Sequence, residues 1–154
     1  MKKYLSILLF LCFLCFFATA CSDEAGSRTE GNNYAAAFKS ADVDLTALSS
    51  TMAYAEISNI MTNPDGYFGK TIKMNGPYAV SFYDKTGQYY HYIVIEDATA
   101  CCQAGVEFIW DGDHTYPDDY PEVKTMIEVV GVFKSYEELG RAYYYLAVDD
   151  IMTI

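Results

Sequence analysis

The chain is poor in bases, in histidine and in cysteine once its N-terminus is set aside, and each shortage excludes something. Ten Lys and Arg stand against 21 Asp and Glu, for a formal net charge of −11. A surface this acidic repels a phosphate backbone, so no nucleic acid is expected among its partners. Of five cysteines, Cys12, Cys15 and Cys21 belong to the N-terminal segment, which leaves only Cys101 and Cys102. No disulfide framework can then link distant segments, and the domain must be held by its core. There is no G-x-S-x-G, no phosphate-binding glycine loop, no H-E-x-x-H and no placeable Ser-His-Asp set. The pairs Asp118/Asp119 and Asp149/Asp150 are adjacent, and nothing near them suggests the raised pKa of a general acid. The chain is therefore expected not to be an enzyme.

What is present begins with Met1–Cys21. Lys2 and Lys3 precede an apolar run from Tyr4 to Phe17, broken only by Ser6, and then come Ala18, Thr19, Ala20 and Cys21. The run is shorter than the ~20 apolar residues a membrane crossing needs, and it ends in small residues as a cleaved signal peptide does. Ala18-Thr19-Ala20-Cys21 resembles the lipobox of bacterial lipoproteins, with Ala18 where Leu is usual. A signal peptide over 1–20 with Cys21 as the lipidated (palmitate-bearing) residue is expected, hence an extracytoplasmic, membrane-anchored protein of the cell envelope. Residues 21–33 carry no large apolar side chain and read as a flexible tether. Loss of residues 1–20 removes two lysines and no acid, taking the net charge from −11 to −13.

Residues 34–154 read as one domain. Residues 34–62 read as helical, with Met52, Ala55, Ile57, Ile60 and Met61 on one face. Ser49, Ser50 or Thr51 is placed to cap this helix, and Asn63-Pro64-Asp65-Gly66 to stop it. From Gly69 the period changes to two. Strands are expected around Ile72–Val80, Tyr89–Glu96, Val106–Trp110, Lys124–Phe133 and Arg141–Val148. Asp84-Lys85-Thr86-Gly87 is a hairpin turn, 111–122 a loop, 135–140 a turn, and Gly131 a bulge or bend. Five strands and one preceding helix predict a mainly β fold, a small five-stranded OB-like barrel. The alternative is a two-layer α+β sheet.

The sharpest chemical feature is Cys101-Cys102, between the second and third strands. Adjacent cysteines fit two thiolate ligands of a metal such as zinc, a strained vicinal disulfide, or small packed apolar groups. His91 is the nearest candidate co-ligand, with burial among Tyr89, Ile93 and Ile95 as its other reading. Asp111-Gly112-Asp113-His114 misses the calcium-loop pattern and reads as a solvated loop. Tyr83, Tyr89, Tyr90, Tyr92, Tyr143, Tyr144 and Tyr145 crowd the strands. Consecutive strand residues face opposite ways, so some of these tyrosines point outward and could stack a sugar or a peptide. Ordinary strand propensity also explains them.

Pro64-x-x-Tyr67-x-Gly69-Lys70-x-Ile72, Cys101-Cys102-x-Ala104 and Val129-x-Gly131-x-Phe133 follow one another in an order that resembles the extracytoplasmic β-domain of a bacterial permease-subunit family. Some members of that family are linked to zinc limitation, and the order also resembles short lipoproteins of gut-dwelling bacteria. Together with the isolated Cys pair, the resemblance implies an OB-like domain and zinc binding at Cys101 and Cys102 with His91 or an acid, in a protein accessory to transport. Its partners would be the membrane, through Cys21, and a transporter or cell-surface protein. The alternative function is a non-enzymatic interaction module that holds a protein or glycan on its Tyr-rich sheet face.

Overall fold

The computed structural model describes residues 41–99 and 101–154. The expected signal peptide, Cys21, the tether and residues 34–40 lie outside the described residues. Among those described, no helix is long and apolar enough to cross a membrane.

The fold is mainly β, with seven strands among the described residues: β1 (Val43–Asp44), β2 (Thr71–Tyr83), β3 (Gln88–Glu96), β4 (Gln103–Trp110), β5 (Met126–Glu138), β6 (Arg141–Val148) and β7 (Met152–Thr153). Among the described residues one α-helix, α1 (Ser50–Thr62), precedes β2. The sheet runs β1-β2-β3-β4-β6-β5-β7, and an additional pairing of β2 with β5 closes β2 to β6 into a ring of five. The strand β2 makes this possible because it is long. Thr71–Pro77 pair with β5, and Tyr78–Tyr83 pair with β3. Within the ring the first strand meets the second and fourth, and the third meets the fifth in parallel. This is the OB-like order expected from the sequence, and the two-layer alternative does not form.

Alternation along the strands decides what fills the ring. On β3, His91, Ile93 and Ile95 are buried while Tyr90, Tyr92 and Val94 are half-buried. With Ile72, Met74, Tyr78, Phe108, Val129 and Leu146, the inward residues build one apolar core. Gly131 lies where β5 passes from β2 to β6, paired with Ile72 on one side and Val148 on the other. A Cβ there would meet Leu146 Cβ and Val148 Cγ1, each at 2.7 Å. The predicted bend is thus a place where only glycine fits.

Three expectations are corrected. The α-helix does not extend over 41–49, where Leu45–Ala47 form a short 3-10 turn. Asp42 instead accepts hydrogen bonds from the Thr71 backbone and hydroxyl, and β1 pairs in parallel with β2. In α1, which Ser49 caps through Met52 N, the buried stripe is Ala53, Ile57 and Ile60. Met52 is 58% exposed, because the helix rests a single row of side chains on β3 and β4. Finally, 135–140 is mostly strand. Pairing continues to Glu138↔Arg141, and the turn shrinks to Leu139 and Gly140, both at positive φ, as a two-residue hairpin requires.

Candidate functional site

The connection from β3 to β4 spans residues 97–102 and is tied at its base. Gln103 Nε2 donates to Glu96 Oε1 at 2.6 Å, and Asp97 N donates to Cys102 O at 3.0 Å. The Asp97 carboxylate then gathers the loop. Its Oδ1 accepts from the backbone N–H of Thr99 at 3.2 Å, of Cys101 at 3.1 Å and of Cys102 at 3.4 Å. An Asp with a hydroxyl residue two positions on readily folds in this way. Burial works to raise the Asp97 pKa, but the hydrogen bonds from Thr99, Cys101 and Cys102 outweigh it and hold the group below its ordinary value.

The same folding brings the two thiols to the carboxylate. Cys101 Sγ lies 3.4 Å from Asp97 Oδ2 and 3.5 Å from Cys102 Sγ. Thr99 Oγ1 lies 3.0 Å from Cys101 Sγ. Asp97, Cys101 and Cys102 each offer a ligand atom, all within 4.8 Å of one another. A disulfide sulfur pair is about 2.0 Å apart, so these are two free thiols, and both are exposed rather than packed in the core. Two thiolates on a tetrahedral zinc stand about 3.8 Å apart, given bonds of about 2.3 Å. The hydrogen bond with Cys101, then burial and the charge of Asp97, raise the Cys102 pKa.

His91 does not join this group. From His91 to Glu96 the strand covers about 17 Å at its usual rise, and the imidazole points into the ring. Its Nδ1 shares a 2.7 Å hydrogen bond with the Tyr78 hydroxyl, and its ring stacks on Tyr120 at 3.9 Å. Burial pushes its pKa down to about 4. His114 stacks on Trp110 at 3.7 Å. An acid was the expected alternative to His91, but sequence reasoning did not single out Asp97, for which the available signal was the Asp-x-Thr-x-Cys-Cys spacing. Glu107 was missed as well. It alternates outward on β4, as a solvated residue would, and yet is buried.

No family model and no curated protein matches the chain. Among solved structures that match is the dimeric N-terminal domain of PriB from Thermoanaerobacter tencongensis. That match has 15% identity and a TM-score of 0.33, and covers 55% of this chain and 94% of that one. The expected partners were the membrane, a transporter or cell-surface protein, and no nucleic acid. The exclusion of nucleic acid is the part corrected: with a PriB domain among the matching structures, it is withdrawn. Net charge is a sum over the whole chain, whereas a ligand meets the local field of one face.

Proposed function

We propose that this protein is an extracytoplasmic, lipid-anchored lipoprotein that binds a thiophilic transition metal, zinc foremost, through Cys101, Cys102 and Asp97. The observation that carries the proposal is the convergence of two exposed thiols and one carboxylate within 4.8 Å. Two sulfurs and an oxygen suit zinc, which accepts both donor types. Three protein ligands leave a tetrahedral ion one open position, which suits a site that takes up and passes on metal rather than a closed structural centre. The resemblance to a zinc-limitation-linked family points the same way, and anchoring at Cys21 would hold the domain at the envelope. His91 has no part in this set.

The test is the metal content of reduced, dialysed protein after loading with zinc, measured beside Cys101→Ser/Cys102→Ser. One zinc per wild-type chain and none in the double variant is expected. Equal metal in both proteins sinks the proposal.

A further inference from the structure

Two carboxylates on the outward face of the ring have no place in the metal site. Glu107, on β4, is 8% exposed, and Tyr136 donates its hydroxyl to it. Glu138, on β5, accepts from the Tyr90 hydroxyl at 2.7 and 2.8 Å. Among the described residues the single ion pair is Lys73–Glu128, so neither acid is matched by a cation. Burying a carboxylate that way is costly. Burial, with the charge of Glu138 adding to it, pushes the Glu107 pKa up to about 7. An ionised carboxylate has about four acceptor positions, and one tyrosine hydroxyl leaves most of those on Glu107 open. A buried acid without a cation, set in a crevice beside a half-buried second one, marks a candidate binding or reaction site.

A crevice surrounds these acids. One hollow of about 510 Å³ extends toward Tyr89, Thr115 and Tyr116. A second, of about 240 Å³, extends toward Tyr83, Tyr92 and Tyr143. Tyr90, Glu107, Tyr136 and Glu138 border both, so the carboxylates stand between two aromatic-walled spaces. Tyr136 and Tyr143 stack at 5.5 Å, which fixes their rings. The larger volume lies in the range of ordinary ligand pockets. The crevice runs over the second and third ring strands, between the β2–β3 and β5–β6 hairpins. OB folds hold oligonucleotides and oligosaccharides on that side.

We infer that this crevice binds a neutral saccharide chain, its ring faces lying on Tyr90, Tyr136 and Tyr143 and its hydroxyls donating to Glu107 and Glu138. The walls offer aromatic faces, and the centre offers acceptors without a cation. The occupant must therefore bring apolar ring faces and several donors in each unit, and a sugar brings both. The site is independent of the cysteines, so it stands or falls separately from the metal reading.

The experiment is native affinity electrophoresis of the mature chain in gels containing starch, xyloglucan, mixed-linkage β-glucan or galactomannan, with poly-dT as a further arm. Wild type should be retarded by at least one polysaccharide. Tyr90→Ala/Tyr143→Ala should lose that retention at least tenfold, and Glu107→Gln several-fold. Glu107→Gln keeps every ring and the strand pairing, so it decides the matter if the alanine variant fails to fold. A several-fold loss in Glu107→Gln supports the inference. Failure of all four polysaccharides to retard wild type overturns it. So does wild-type retention by a folded Glu107→Gln, or retention by poly-dT in place of any polysaccharide.

Discussion

The Tyr136 hydroxyl lies 3.1 and 3.0 Å from the two oxygens of the Glu107 carboxylate. This contact joins the far end of β5 to the outward face of β4 across the intervening β6. It also fixes where the least comfortable acid of the domain sits, and the pH behaviour of the fold depends on that acid and on His91.

Glu107→Gln is expected to make the domain more stable at pH 8 and to leave it little changed at pH 4. The folded pKa of Glu107 is raised to about 7 from an ordinary 4.5. The native state therefore holds the proton more tightly, and stability falls as pH rises through that window. The gap corresponds to about 3 kcal/mol. Urea unfolding of both proteins at pH 4 and pH 8 measures it, and an unchanged difference between the two pH values would contradict it.

His91 works in the opposite sense. Its folded pKa is lowered to about 4 from 6.5, so the unfolded chain takes the proton first. Stability is lost as pH falls from about 6.5 toward 4, again by about 3 kcal/mol. Between pH 4.5 and 6.5 the two groups largely offset each other. In His91→Phe, denaturant midpoints should therefore rise steadily as pH falls from 7 to 4.5, uncovering the Glu107 contribution. The variant itself loses about 1 kcal/mol for the unpaired Tyr78 hydroxyl.

Zinc affinity at the cysteine pair should increase with pH. The Cys102 pKa is raised, and each thiol must lose its proton to become a ligand. Competition with a chromophoric chelator at pH 6, 7 and 8 should show a steady gain, with protons released on binding. Asp97→Asn should weaken binding at least tenfold at every pH, since it removes both a charged ligand and part of the loop's hydrogen bonding. A pH-independent affinity would count against thiolate ligation.

Gly131→Ala should destabilise the fold by about 3 kcal/mol, because its Cβ meets Leu146 and Val148 inside the closed ring. Gly76→Ala should behave alike, its Cβ being driven against Val94 O. Gly66→Ala, with open space around it, is the neutral comparison. Thermal melts of the three variants rank them, and a stable Gly131→Ala would argue against the close approach of β5 to β6 at that point.

Much of the architecture was legible locally. The change from helical to alternating period placed the strands, the Asp84–Gly87 turn and the shared face of Tyr89, His91, Ile93 and Ile95, of which only Tyr89 is exposed, because alternation follows from backbone geometry alone. The preference of Ser49 for a helix cap was legible for the same reason. Ser135–Glu138 was misjudged as turn because its polar residues lie on an extended hairpin, where pairing with β6 outweighs composition.

The sequence by itself determined the mainly β character, the order of the strands along the chain and the isolation of Cys101 and Cys102 as a pair. Each of these follows from residue type and spacing. Only the tertiary structure decided that β2 serves two neighbours and closes the ring, that His91 bonds Tyr78 rather than facing the thiols, that Asp97 does face them, and that Glu107 is buried on an outward face. Those outcomes depend on strands brought together across dozens of residues, and no local pattern carries that information.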